Sequence, residues 1–447
     1  MTWYPYDQLG PRYVHTNYNS FMYGMSMGSF GDHTALMDIA LADAITRQRD
    51  RETEIENLFK EIIGEGFTFE EFGEQYEEVV TKYAYNTLAD NYVTAKGLKP
   101  RKDKHGSITS LAFSTKHLNE NFKLLENVTD AVTELLQEFT KKGYIEADGV
   151  AAIRQRLHGH LNSISGKIKD WKDGGKKGDL PSMLYGTVMN FKGAIKEYIE
   201  PILHNATLDE ITNGLITAGQ VKGFKVEAIG GPGKPGADAK ALIETGGKSL
   251  SYGLNIKSAS RDTFKKHGVG LYRTDRLINL IEHMQRYADS YEPINAFTYY
   301  LINVSRMMGR RMTAQQGPGG LKATSEGRTL VHSVIKAYAP LFIGEDDPQI
   351  PEEFRRADFL VLQNMFIRKS VILEELSKGR GFSIALEITY DKTYNWHKFD
   401  YAKRMHMREA DGDYHFVASR YFVDRGVEAM LNQAATIKLK MLAGFKY

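Results

Sequence analysis

The chain has no cysteine. That excludes disulfides, thiolate-held zinc or iron–sulfur centres and any cysteine nucleophile. It has no run of eighteen apolar residues, and its opening stretch MTWYPYDQLGPRY carries neither a basic nor an apolar leader segment, so neither a membrane span nor a secretion signal is expected. Charge of one sign is also lacking: 58 Lys and Arg stand against 56 Asp and Glu, a net +2, so the molecule as a whole is not a polycation and any nucleic-acid contact has to be local. The 13 histidines form no HExxH pattern, and His158 and His160 in RLHGHLN read as surface or turn residues rather than as a metal pair. No internal repeat or low-complexity segment is visible.

What remains is an ordinary globular composition, 42% apolar, in 447 residues, which is room for two or three packed cores. The first 34 residues are rich in Tyr, Gly, Asn and Met and have no clean period; they read as an irregular arm, packed on its own domain or on a partner. Helical spacing then predicts helices over 34–63, 67–95, 125–143, 148–164 and 183–204. The charged run RQRDRETEIE in the first of these reads as a solvated face. Residues 96–116 read as a basic loop, and the basic turn 166–181, with lysines around Trp171, as a place where a strand could be held by charge and stacking. Thr207 and Glu210 have capping-box spacing at the start of a further helix.

The stretch 224–260, FKVEAIGGPGKPGADAKALIETGGKSLSYGLNIKSAS, organises the rest. Three apolar runs, 224–229, 239–243 and 250–256, are punctuated by glycines and read as a meander of strands, with TGGKS as a hairpin turn. Asp238 stands where the second strand begins. Asn255 and Lys257 are two apart on the third and share one face, so an acid, an amide and an amine converge on one sheet edge.

This constellation resembles the PD-(D/E)XK, or restriction-endonuclease-like, nuclease superfamily over roughly 225–260. The matching positions are Asp238, Asn255 and Lys257, with Ile256 between the last two. The resemblance implies an α+β fold: a mainly helical half, 1–205, followed by a mixed-sheet nuclease-like core flanked by helices, 206–447. It implies Mg²⁺ or Mn²⁺ held at Asp238, Asn255 and Ile256, with Lys257 orienting the attacking water, and hydrolysis of DNA phosphodiesters. Asn255 departs from the family's acid, since an amide brings one oxygen and no charge. Glu210 and Glu227 are the acids expected to compensate.

Lys265 and Lys266 after the third strand, and Arg306, Arg310 and Arg311 beside a glycine-rich loop, are expected to contact DNA phosphates. Past this point 274–288, 296–312, 323–338, 370–377 and 426–442 read as helices, 358–367 as a fourth strand, and 382–394 and 415–424 as a pair of antiparallel strands. A cytoplasmic nuclease, phage-encoded in one version, follows from this reading. The competing ones are a virion structural protein that assembles through its N-terminal arm and carries an inactive nuclease-like domain, and a DNA- or partner-binding protein without chemistry.

Overall fold

In the computed structural model, residues 29–83, 99–102, 108–112, 118–176, 180–220, 236–280 apart from 258, 275 and 278, 335–345, 356–362, 365–389 and 434–447 are described. The architecture is α+β, with a helical N-terminal half and a mixed sheet.

Five helices come first: α1 (Ser29–Ile63), α2 (Phe69–Tyr83), α3 (Leu118–Lys141), α4 (Ala147–Asp173) and α5 (Leu180–Ile211). The apolar spacing explains each buried face. In α3, Leu125, Val128, Val132, Leu136 and Phe139 point inward, and in α4 so do Val150, Ile153, Leu157, Leu161 and Ile164. Gly143, at φ 77°, supplies the left-handed residue between these two helices.

Several expectations are corrected here. The basic stretch 96–116 contains a two-stranded antiparallel ribbon, β1 (Lys99–Lys102) and β2 (Ile108–Ala112). Thr207 does not begin a new helix. It lies inside α5, where its hydroxyl donates to the Leu203 carbonyl at 2.9 Å, so the capping box does not form. Nor is the charged run of α1 wholly solvated. Arg51 donates to the Ser251 carbonyl at 2.5 Å, and the buried Glu52 carboxylate accepts from the Ser370 backbone amide at 2.9 Å.

The first sheet has the order β3 (Ala239–Thr245), β4 (Lys248–Ile256), β6 (Phe359–Leu362) and β7 (Met365–Arg368). β3 and β4 form the expected hairpin. Its turn residues Gly246 and Gly247 have φ 52° and 82°, the positive pair a two-residue hairpin of this kind requires. β4 then pairs in parallel with β6, Leu254 opposite Phe359 and Ile256 opposite Val361. Between β4 and β6 come α6 (Arg261–His267), β5 (Val269–Thr274) and α7 (Ala339–Gly344). The expected fourth strand, 358–367, is therefore two antiparallel strands, both in the sheet, with the first paired to β4.

This sheet is covered on both faces. Ala239, Ala241, Tyr252, Leu254, Ile256, Phe359 and Val361 pack in one core with α2 to α5. The alternate residues Leu360, Leu362 and Ile367 pack in a second core with α6, α7 and α8 (Lys369–Ser377). That second core also holds a three-stranded sheet, β5 with β9 (Ala434–Met441) and β8 (Phe382–Thr389). β9 overturns the expected closing helix: Ala435, Ile437, Leu439 and Met441 are buried while Thr436, Lys438 and Lys440 between them are not, a period of two that belongs to a strand. It is the antiparallel partner of β8; residues 415–424, expected in that role, lie outside the described residues. So do 224–229 and nearly all of the helices expected at 274–288, 296–312 and 323–338. Among the described residues no helix is long and apolar enough to cross a membrane.

Candidate active site

Asp238 and Lys257 meet where β3 starts and β4 ends. Pairing of Ala239 with Leu254 puts Asp238 level with Asn255, two residues before Lys257. The Asp238 amide donates to the Leu254 carbonyl at 2.7 Å, and its Oδ2 accepts the Ile256 amide at 2.7 Å, so the carboxylate continues the ladder that the backbone has left. Lys257 is anchored on its other side, its amide donating to the Val361 carbonyl of β6 at 2.9 Å. Its Nζ lies 3.5 Å from Asp238 Oδ2, a loose ion pair whose side chains keep 20% and 27% of their surface in contact with solvent. The pair is thus neither split between two surfaces nor sealed in.

A third ionisable group faces this pair, one that sequence reasoning missed. Glu197, on α5, keeps solvent access, yet enough protein surrounds its carboxyl that burial, and next the Asp238 carboxylate, push it up to about 7; the Lys257 cation pulls the other way. Glu197 stands four residues before Pro201, which lies inside the helix and cannot donate to the Glu197 carbonyl. The proline was the available signal, because it marks where α5 departs from regular helical bonding.

The remaining expected residues are placed differently. Asn255 is fully buried, and its Nδ2 donates to the Ile343 carbonyl at the end of α7 at 2.7 Å, while its Oδ1 has no hydrogen-bond partner among the described residues. Glu210 is tied to α2, accepting from Lys82 at 2.7 Å and from Gln75 at 3.2 Å. Ile256 is buried and turns its amide, and by the same pleat its carbonyl, toward Asp238. Lys265 and Lys266 stand in the last turn of α6, whose first turn Ser260 caps by accepting the Thr263 amide. Glu227, Arg306, Arg310 and Arg311 lie outside the described residues. Trp171 is buried at 8% exposure and Lys167 donates to Thr187, so the expected stacking of a strand on that tryptophan is corrected.

Mg²⁺ and Mn²⁺ favour hard oxygen donors. The described residues contain no group of three or more His, Cys, Asp and Glu side chains arranged to hold an ion. The mouth of the hairpin offers the Asp238 carboxylate with Glu197 in electrostatic reach of it, and the pleat that turns the Ile256 amide to Asp238 turns the Ile256 carbonyl to the same side. That donor set is of the kind Mg²⁺ or Mn²⁺ takes, with water filling the other positions.

Comparison with known proteins adds no relative: no family model, no curated protein and no solved structure matches the chain.

Proposed function

We propose that the protein is a divalent-metal-dependent nuclease that hydrolyses DNA phosphodiesters at the mouth of the β3–β4 hairpin. The observation that carries this reading is the 3.5 Å approach of Lys257 Nζ to Asp238 Oδ2 with the Glu197 carboxyl facing both. Asp238, Glu197 and the Ile256 carbonyl are the groups that would hold Mg²⁺ or Mn²⁺. When bound, such an ion supplies Lewis acidity to the phosphoryl oxygen and acidifies a bound water. Lys257 orients the attacking water by hydrogen bonding and steadies negative charge as it develops on the phosphoryl oxygens. Asp238 holds the Lys257 ammonium in place and, through the Ile256 amide, fixes the end of β4 beneath it.

In this reading Asn255 is a positioning residue. Its amide secures the end of α7 under the strand that carries Lys257, and Glu197 supplies the second negative charge that an amide at 255 does not. With its carboxyl raised to about 7, Glu197 is about half protonated near pH 7 in the absence of metal and gives up that proton as a cation is taken on.

Incubation of supercoiled plasmid with the protein and Mg²⁺ or Mn²⁺ tests the proposal. Nicking or degradation is expected, lost with EDTA and reduced at least ~100-fold by Asp238→Ala and by Lys257→Ala, the scale on which one positioned catalytic group acts. Wild-type rates in either variant, with circular dichroism unchanged, would overturn it.

A further inference from the structure

The outer face of α4 carries a charge pattern that neither the packing nor the hairpin site explains. At ~100° per residue, Arg154, His158, Lys169 and Lys172 fall within an arc of about 60°, a row about 27 Å long between its outermost members. The acids of the same helix, Asp148, Asp170 and Asp173, lie roughly 40° or more beyond the edge of that arc. All four basic residues are exposed. None of their side chains has an ion pair or hydrogen bond among the described residues, whereas Lys167, on another side of the helix, is tied to Thr187 and Arg156 lies over the Tyr198 ring.

At its N-terminal end the row runs into a groove of about 630 Å³ between α3 and α4, floored by Val150, Ala147 and Ala151 and rimmed by Lys141, Arg154 and His158. No acid lines it. Surface lysines and arginines in a chain of nearly balanced charge ordinarily alternate with acids. Here cations of one helix face are left unneutralised in a line, with a matching cation contributed by α3.

We propose that the α4 row and the α3–α4 groove form a binding track for one strand of DNA, read through its phosphates by Lys141, Arg154, Lys169 and Lys172. The choice of DNA rests on the nuclease reading; the track itself rests on the charge pattern. Arg154 and His158 stand about one helical turn apart at one end of the row, and Lys169 and Lys172 about one turn apart at the other, so the row offers two basic clusters to a polyanion that runs along the helix. The track binds without regard to sequence, because its lysines and arginine offer charge to the backbone.

The test is fluorescence anisotropy with a labelled single-stranded 20-mer and the full chain in EDTA, across a salt series. Four phosphate contacts predict a log–log salt slope of about −3 for a single strand. The triple variant Arg154→Gln, Lys169→Gln, Lys172→Gln is expected to bind at least tenfold more weakly, with a slope near about −1 from the one contact left. Its metal-dependent hydrolysis of bis(p-nitrophenyl) phosphate, a diester too small to reach the track, stays at the wild-type rate. Unchanged affinity and slope in the triple variant overturn the track. So does displacement of the labelled strand by polyglutamate as readily as by an equal charge of unlabelled DNA, which would mark a surface for an acidic protein. If the nuclease reading alone is wrong, no diester is cleaved while the binding and its salt slope persist.

Discussion

Asn255 Nδ2 reaches the carbonyl of Ile343 at 2.7 Å, joining the strand that ends in Lys257 to the last turn of α7. The bond needs a donor on the strand, which an amide at 255 supplies and an ionised acid would not. Asn255→Asp removes the donor and turns an ionised oxygen toward a carbonyl in a fully buried position. We expect it to destabilise the metal-free protein by about 2 kcal/mol or more. Denaturant unfolding in EDTA measures the loss, which should shrink at acid pH, where a protonated carboxyl can again donate to Ile343. Unchanged stability at pH 8 would show that the bond does not hold α7 in place.

Glu197 predicts a pH dependence of known sign. Its carboxyl is raised to about 7, chiefly by burial and then by Asp238, so the native state holds a proton that the unfolded state, at the ordinary 4.5, has released. The stabilisation from that proton is complete below pH 4.5 and is lost as pH rises through about 7. Cleavage should run the opposite way, rising through the same window as Glu197 becomes free to hold a cation. Glu197→Gln should remove the stability slope and weaken the response to Mn²⁺. Heteronuclear NMR titration of the carboxyl in the metal-free protein gives the midpoint directly; a value near 4.5 would exclude this behaviour.

The hairpin could be read from the sequence because its signals are local: the two glycines of its turn, the alternation of Ala239, Ala241 and Ile243, and Asp238 at the point of entry. The same holds for the inward faces of α3 and α4. What could not be read depends on long-range pairing. Glu197 lies 41 residues before Asp238 in the chain and meets it only because α5 packs against the sheet, and Asn255 acquires its role from a carbonyl in α7. β9 was legible and misread: Ala435, Ile437 and Leu439 alternate cleanly, but a Lys-, Leu- and Met-rich ending favours helix by propensity, and pairing with β5 and β8 overrides that preference.

Gly253 is required for the parallel junction of β4 and β6. A Cβ at this position would come 1.6 Å from the Arg356 carbonyl oxygen and 2.6 Å from its carbon, both backbone atoms that cannot rotate aside. The approach is held by paired bonds: the Asp358 amide donates to the Gly253 carbonyl at 2.9 Å and the Gly253 amide to Asp358 Oδ2 at 2.9 Å. Gly253→Ala should therefore lower stability by about 3 kcal/mol, at the upper end of overpacking costs. The Ala237 side chain is its other close neighbour, at 3.1 Å, so Ala237→Gly in the same chain should restore little. Thermal melts of both variants decide this, and a full rescue by Ala237→Gly would mean that the strand, and not Arg356, sets the limit.

His204 gives the acid limb of stability. It is enclosed by Phe72, Phe366 and Tyr252, its Nε2 is bonded to the Tyr252 hydroxyl, and burial lowers its pKa to about 3. In the unfolded chain the ring takes a proton near 6.5, so the native state binds fewer protons across the interval. The stabilisation is complete above pH 6.5 and is lost as pH falls toward about 3. His204→Phe should flatten that acid slope and, by leaving the buried Tyr252 hydroxyl without this partner, cost about 1–3 kcal/mol at pH 8. Adding Tyr252→Phe removes the stranded hydroxyl, and the double variant should recover part of the loss, giving a coupling of roughly 1 kcal/mol in a double-mutant cycle. Strictly additive losses would show that the two rings share packing alone and that the hydrogen bond between them contributes nothing to stability.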